Sequence, residues 1–441
     1  MKKAYIQTFG CQMNEHDSDR IAELLKRDGY FMSDNPFDSQ VIILNTCSVR
    51  ESPENKVYSQ LGRIREYKEN NKDVIIGVGG CVAQQEGDRI LKREKAVDLV
   101  FGTDQLMRVP ELVENARQGR RESVTSWMKR EGKKQNFIPV EELNTGKVEG
   151  GKAYLSITKG CDNFCSFCVV PFTRGRLVSR DLEHIVLEAE DLIRKGAKEI
   201  MLLGQNVNSY KFKDYDFYYL LKTIAALNGL DRLRFISPHP KDWNDQLSEL
   251  MADSKVICDQ LHLPFQSGST RIVDLMNRGH TTEEYCRKIN YLKKLLPSVG
   301  LSTDIIVGFP TETEEDFQST LDVLEELRFT QIYAFKYSSR PKTRAEKMED
   351  DVPKSVKEER LARALNLQQK VQRDIFDSMI GKEYKVLIHG THPKSPNSRL
   401  GKTESNVSIQ IDDCAYELGE FANTTVISTN TNSLVGRLVS Y

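Results

Sequence analysis

Apolar and polar positions alternate along this chain in two rhythms. Short unbroken apolar runs at 4–8, 41–45 (VIILN), 74–78 (VIIGV) and 99–102 have the length and branched side chains of strands buried on both faces. Between them, Ile21, Leu24 and Leu25 recur at helical spacing over 17–27, and 53–68 is a charged amphipathic stretch. Strand and helix in regular alternation predict a parallel, doubly wound, Rossmann-like sheet for residues 1–118.

The same alternation returns further on. Strands are expected at 154–158, 199–203, 232–236, 260–263, 301–307 and 332–335. Helices are expected between them at 182–195, 217–227, 243–251, 283–295 and 314–327, the last opened by a capping box, Thr313-Glu314-Glu315-Asp316. Residues 147–378 therefore read as a partial (β/α)6 barrel, whose site belongs on the loops that follow the strands. A long helix over 355–379 ends this pattern. Beyond it, short alternating runs at 384–388, 406–411, 424–428 and 434–440, joined by Gly, Asn and Asp, predict a small five-stranded β-barrel over 379–441. The fold class is α/β with an appended barrel.

Charge adds one local feature. The 441 residues carry 63 Lys and Arg against 64 Asp and Glu, so no global field draws the chain to nucleic acid. The terminal barrel is balanced too, although barrels of that size often bind RNA. Residues 117–134 depart from this balance, with Arg117, Arg120, Arg121, Lys129, Arg130, Lys133 and Lys134 against Glu122 and Glu131. With Trp127 and Phe137 nearby, the stretch reads either as a solvated linker over 119–146 or as an RNA-backbone contact with rings for stacking. No apolar run is long enough to span a membrane, and residues 1–7 enter a strand without a signal-peptide core, so a cytoplasmic protein is expected.

In a reducing compartment the nine cysteines point to metal binding or catalysis rather than disulfides. Cys161, Cys165 and Cys168 stand at i, i+4 and i+7 just after a strand. On a helix that spacing would be one buried face, but Gly160, Asp162, Asn163 and Pro171 mark a loop. Three soft thiolates with the fourth position open fit an iron–sulfur centre, with zinc second. Cys11, Cys47 and Cys81 each follow a predicted strand, beside Gly10, Gly79 and Gly80. They are three buried thiols, or they meet beyond one edge of the sheet, where ligands of such folds gather. Cys258, Cys286 and Cys414 stand singly.

The Cys-x3-Cys-x2-Cys spacing, with Phe167 before the last cysteine, resembles the radical S-adenosylmethionine superfamily. The ordered set 8–14 (TFGCQMN), 168–176 (CVVPFTRGR), 203–208 (LGQNVN), 263–269 (LPFQSGS) and 307–312 (VGFPTE) is similar to its methylthiotransferase family, with a terminal barrel like a TRAM domain. Asp162, Phe172 and Leu177 depart from that family's usual residues. The resemblance implies that Cys161, Cys165 and Cys168 hold a radical-generating 4Fe-4S cluster, and that Cys11, Cys47 and Cys81 hold an auxiliary 4Fe-4S cluster that carries sulfur. It implies two S-adenosylmethionine molecules, one as methyl donor and one as radical source. It places Phe167, Gly204, Gln205, Asn206, Gly308, Pro310 and Glu312 near that cofactor, and Gln12 and Asn14 near the auxiliary cluster or the substrate base; Arg174 and Arg176 either reach the cofactor or RNA phosphates or are solvated surface residues. The expected activity is methylthiolation at C2 of N6-dimethylallyl (isopentenyl) adenosine at position 37 of tRNA. The expected partners are the tRNA anticodon loop and an electron donor such as flavodoxin or ferredoxin, for a chain acting as a monomer. The same chemistry on threonylcarbamoyladenosine, and a non-enzymatic iron–sulfur RNA-binding regulator, are the alternatives.

Overall fold

The computed structural model describes residues 1–48, 51–127 and 146–439, and the side chains of 51–56 are not described. Lys129, Arg130, Lys133, Lys134 and Phe137 lie outside the described residues. The chain divides into two compact units: Met1–Thr145 with Thr158–Asp162 and Cys168–Arg180, and the remainder to Tyr441.

The first unit runs β1 (Lys2–Thr8), α1 (Gln12–Arg27), β2 (Tyr30–Met32), β3 (Val41–Thr46), α2 (Glu51–Asn70), β4 (Ile75–Gly80), α3 (Cys81–Glu86), α4 (Asp88–Arg93), β5 (Leu99–Phe101), α5 (Val109–Arg117) and β6 (Glu122–Val124). All six strands pair in parallel, in the order β2-β1-β3-β4-β5-β6. Side-chain alternation explains the two-sided burial. Ile42, Leu44, Ile76 and Val78 pack with Val57, Leu61 and Ile64 of α2 on one face. Val41, Ile43, Ile75 and Leu99 pack with Ile21 and Leu25 of α1 and with Leu112 and Val113 of α5 on the other. The sheet is doubly wound, and its order reverses between β1 and β3.

In this unit two strands were not visible in the pattern, β2 and β6, each three residues long and lying at an edge. β6 belongs to the stretch read as a charged linker, and its first arginines, though exposed, bond to the fold. Arg117 donates to the Tyr30 hydroxyl, at 3.2 and 3.0 Å. Arg121 donates to the carbonyls of Val97, Leu91 and Glu94. α1 also starts earlier than its apolar spacing predicts, directly after Cys11.

The chain enters the second unit with β7 (Lys152–Ser156) and returns to the first for β8 (Thr158–Lys159), α6 (Val170–Thr173) and β9 (Val178–Ser179), β8 and β9 pairing antiparallel. The second unit continues with α7 (Leu182–Arg194), β10 (Glu199–Leu203), the hairpin β11 (Lys211–Phe212) and β12 (Tyr215–Asp216), α8 (Phe217–Ala225), β13 (Arg232–Phe235), α9 (Asp245–Asp253), β14 (Gln260–His262), α10 (Thr270–Leu275), α11 (Thr282–Leu295), β15 (Gly300–Val307), α12 (Glu314–Leu327), β16 (Gln331–Lys336) and α13 (Lys354–Asp377). The six expected core strands form two parallel three-stranded sheets, β13-β10-β7 and β14-β15-β16. A bridge from Leu233 to Ile257 continues the first beyond β13. Amphipathic helices cover their outer faces. Leu182, Ile185, Ala189 and Leu192 of α7 join Leu155, Ile200 and Leu202 in one apolar core. The expected capping box at Thr313 and Asp316 is formed, and Thr281 and Glu284 make a second at α11.

The C-terminal strands β17 (Glu383–His392), β18 (Ser395–Lys402), β19 (Ser408–Ile411), β20 (Phe421–Thr429) and β21 (Leu434–Leu438) close as a barrel in the order β17-β18-β19-β21-β20. Its apolar interior includes Val386, Ile388, Ile409, Ile411 and Val426. The barrel rests on the start of β13. Arg232 donates to the carbonyls of Lys402 and Lys385, and Arg234 to those of Glu404 and Thr403. Glu199 of β10 pairs with Arg234 at 2.9 Å. No helix among the described residues is long and apolar enough to cross a membrane.

Candidate functional site

The first group of functional side chains sits where the N-terminal sheet reverses order. Cys11 precedes α1, Cys47 follows β3, and Cys81 opens α3 directly after β4. Two glycines let these loops meet. Gly10 has φ +108°, and a Cβ there would lie 2.2 Å from Cys47 Cβ and 2.7 Å from its Sγ. Gly80 has φ +91°, and a Cβ would strike the Thr46 carbonyl at 2.3 Å. Gly79 serves a different end, clearing the ring of Phe101.

Asn14 ties the loops together. Its Nδ2 donates to the carbonyls of Phe9 at 2.8 Å and Thr46 at 2.9 Å. Its Oδ1 accepts from Arg174 Nη2 at 2.6 Å. Thr46 Oγ1 donates to Gly79 O at 2.6 Å, joining the second loop to the third. Asn14 therefore holds the thiol loops with both ends of its amide. Gln12, at the first turn of α1, is half-buried.

The thiols feel one another and one buried cation. A hydrogen bond from Cys47, helped by the charge of Arg174 and a bond from Asn14, holds the Cys11 thiol below its ordinary range despite burial. Burial pushes Cys81 up, and Arg174, which donates to it, opposes that rise. Sequence reasoning left Arg174 between a surface role and contact with phosphate or cofactor. In the structure Arg174 is 3% exposed, which sets the surface role aside, and its guanidinium pairs with Asp17 Oδ2 at 2.8 Å. Asp17 and the two cysteines keep it charged in spite of burial. Nearby, both ring nitrogens of His16 are buried without a hydrogen-bond partner among the described residues.

The second group of thiols lies on the loop after β7. Its two ends belong to the first unit and its middle to the second. In the first unit, Cys161 N donates to Gly175 O at 3.1 Å. Gly160, at φ +75°, could not carry a Cβ, which would fall 2.2 Å from Arg176 O. Asp162 Oδ1 accepts from Arg176 Nε at 2.6 Å and Leu177 N at 3.1 Å. Arg176 is exposed, and Trp127 lies exposed against Gly175.

In the second unit, Cys165 is buried. Arg278 Nη1 donates to its Sγ at 3.4 Å, and His239 Nε2 stands 4.0 Å from it. Ser166 is held from both sides, its N bonding Met276 O and its O accepting from Ala345 N. Phe167 packs against Ile272, Met276, Phe309, Tyr337 and Ala345. Sequence reasoning missed Arg278, His239 and Asn277, whose Nδ2 binds the carbonyls of Asn163 and Phe164. His239 follows β13, whereas Asn277 and Arg278 follow α10, and no spacing in the sequence marked either place.

The residues expected near a cofactor follow two strands of the same unit. Gly204, Gln205 and Asn206 follow β10. Asn206 Nδ2 donates to Ser209 and Asp242, while its buried Oδ1 has no donor among the described residues. Gly308 and Pro310 follow β15. Glu312 turns back on this loop: its Oε2 accepts from Gly308 N at 2.6 Å and from Arg360 Nη1 at 2.8 Å. Burial raises its carboxyl to about 7 against those two partners.

The donor set suits a cluster. Among the described residues no three His, Cys, Asp or Glu side chains converge as around a single ion. In a cluster each iron takes its own thiolate, so the thiols stand further apart than around one ion. Soft sulfur donors select such centres over hard cations. The leftover buried donor at Arg278 Nε and acceptor at Asn206 Oδ1 leave polar capacity for a bound polar group. The lone cysteines are unlike these. Burial pushes Cys258 up to about 12 and Cys286 up to about 11, which leaves both as inert thiols.

Comparison with known proteins agrees. Residues 3–102 match the model described as Uncharacterized protein family UPF0004, and residues 155–324 match the Radical SAM superfamily. The chain is 43% identical over 445 residues to a tRNA-2-methylthio-N(6)-dimethylallyladenosine synthase of Legionella pneumophila (strain Corby), covering 100% of this chain and 98% of that one. It is 41% identical over 448 residues to the protein of the same name from Marinomonas sp. (strain MWYL1), covering 99% and 97%. Among solved structures, the radical S-adenosylmethionine methyltransferase TsrM from Kitasatospora setae aligns with TM-score 0.55 at 16% identity, over 78% of this chain and 74% of that one. The cobalamin-dependent S-adenosylmethionine radical enzyme OxsB aligns with TM-score 0.53 at 13% identity, over 85% of this chain and 56% of that one. Those two likenesses concern the fold alone. By its matched domains and its full-length relatives, the chain belongs to the radical S-adenosylmethionine methylthiotransferase family, in the group of the tRNA-2-methylthio-N(6)-dimethylallyladenosine synthases.

Proposed function

We propose that this chain attaches a methylthio group to C2 of N6-dimethylallyladenosine at position 37 of tRNA, using two 4Fe-4S clusters and S-adenosylmethionine. The observation that carries the reading is the meeting of Cys11, Cys47 and Cys81 at the sheet's reversal point, braced by Asn14 and Arg174. The full-length identity to synthases of that name supports it. C2 of adenine is neither acidic nor electrophilic enough for acid–base chemistry, so the bound groups supply a radical and a sulfur while the protein supplies placement.

The residues then divide the work. Cys161, Cys165 and Cys168 would hold the radical-generating cluster, which would supply one-electron chemistry to S-adenosylmethionine. Cys11, Cys47 and Cys81 hold the auxiliary cluster. Arg174 offsets the negative charge that three thiolates and their cluster bring into a buried site. Glu312 is a positioning residue that fixes Gly308 for the cofactor. Phe167, Gly204, Gln205, Asn206 and Pro310 complete that side. Gln12 and Arg176 serve the RNA substrate in the first unit, and the terminal barrel is an RNA-binding element of the second. An anticodon-loop base can be bound by stacking and edge contacts without opening a duplex. The protein acts in the cytoplasm as a monomer and takes electrons from a flavodoxin or ferredoxin.

Nucleoside mass spectrometry of tRNA from a deletion strain tests the target. The methylthio form of dimethylallyladenosine should vanish and its unthiolated precursor accumulate, and the gene should restore it. Loss of methylthiolated threonylcarbamoyladenosine instead would assign the other substrate. No change in either nucleoside would favour the regulator.

A further inference from the structure

Cys165 differs from the other cysteines of its loop in what surrounds it within the second unit. Arg278 is 6% exposed, with Nη2 anchored on Pro264 O at 2.6 Å and Nη1 donating to Cys165 Sγ at 3.4 Å. Among the described residues its partners are that carbonyl and that sulfur, and no carboxylate. A buried guanidinium without a counter-charge is costly, so its place needs an anion that the polypeptide does not supply. Its Nε–H is buried and has no acceptor among the described residues.

His239 approaches the same sulfur. Its Nδ1 accepts from Lys241 N at 3.2 Å, so the ring proton sits on Nε2, the nitrogen 4.0 Å from Cys165 Sγ. The peptide of His239 is fixed by Asn208, whose Oδ1 accepts from His239 N at 2.7 Å and whose Nδ2 donates to His239 O at 3.0 Å. Two donors on separate loops thus converge on one thiol.

We propose that Arg278 and His239 are positioning residues that raise the reduction potential of the radical-generating cluster by donating to the Cys165 sulfur. The inference rests on the function proposed above. Reduction adds one electron, taken from a low-potential one-electron donor, and no bond or proton changes. The added negative charge spreads onto the cluster sulfurs, where N–H donors and a guanidinium stabilise it. The reduced form gains more than the oxidised form, so the potential rises.

The test uses the full-length chain with Cys11, Cys47 and Cys81 changed to Ala, so that one cluster remains. The readouts are iron per chain and electron paramagnetic resonance during a dithionite titration at controlled potential. Arg278→Gln should keep its iron while its reduction equilibrium falls at least tenfold, a shift of about 59 mV for one electron. Arg278→Lys, which keeps the charge, should recover most of that shift. His239→Leu should shift in the same direction, and His239→Gln, which retains an N–H, should shift less. Full iron with an unchanged midpoint in Arg278→Gln overturns the proposal. If that variant loads no iron, an unchanged midpoint in His239→Leu overturns it. Absence of any cluster in the parent triple variant would instead remove the functional reading, and this inference with it.

Discussion

Asn14 makes the point at the scale of one residue. Its amide holds two loop carbonyls and Arg174 at once, all in a buried place. Asn14→Ala leaves those carbonyls and the guanidinium without their partner, at about 1–3 kcal/mol for each group left unsatisfied. A fall in the urea midpoint together with loss of bound iron is the expected result. Gly10 and Gly29 form a matched pair. Both have positive φ, but a Cβ at Gly29 meets nothing within 4 Å, whereas at Gly10 it overlaps Cys47. Gly29→Ala should cost roughly 1 kcal/mol of backbone strain and keep iron binding, while Gly10→Ala should lose it, measured by iron content and thermal unfolding. The cysteines and glycines were legible because each carries a residue-type signal at a strand end. Asn14 and Arg174 were legible only as members of family blocks. Nothing in one dimension says that residues 160 positions apart will share a hydrogen bond, and so Arg174 was left open between surface and site.

At the scale of elements, the long apolar strands and capped helices of the core followed from the pattern, most bounds moving by a residue or two, while α1 starts five residues early and β17 runs four residues further. The missing elements share a physical cause. β2 and β6 are three-residue edges, and β18 reads SPNSRLGK, with Pro, Gly and few apolar positions. Their places are fixed by ladders with stronger neighbours, not by their own propensity. Two elements invite measurement. The turn after β15 carries Glu312, whose carboxyl is raised to about 7 by burial, against bonds from Gly308 N and Arg360. A carboxyl whose folded pKa lies above its unfolded value favours folding below about 4.5 and loses that contribution as pH rises through about 7. Stability of the parent should fall over that window relative to Glu312→Gln by on the order of 3 kcal/mol or less, and thermal midpoints across pH 4–8 would show it. A difference that does not change with pH would remove this assignment. The seam between β13 and the terminal barrel depends on Arg234, which bonds two carbonyls and Glu199. Arg234→Ala removes the nearest partner of the buried Glu199 carboxylate, leaving it Arg232 at 3.9 Å, and should cost about 3 kcal/mol in unfolding free energy.

At the scale of the whole chain, three architectures were predicted and three are present, though their joints were harder to read. Part of the stretch taken for a linker supplies β6 and Arg121, which binds the carbonyls of Leu91, Glu94 and Val97. The loop with Cys161, Cys165 and Cys168 is shared between two units rather than owned by one. That sharing was invisible to spacing, which fixes residues along a loop but not which body each belongs to. The central claim is a division of labour: the loop thiols make a radical, and the sheet-end thiols supply sulfur. The most direct test is Cys47→Ala in the full-length protein, reconstituted anaerobically and given reductant, S-adenosylmethionine and dimethylallyladenosine tRNA. 5′-Deoxyadenosine should still form while the methylthiolated nucleoside falls below detection. Continued thiolation by Cys47→Ala would contradict this division of labour.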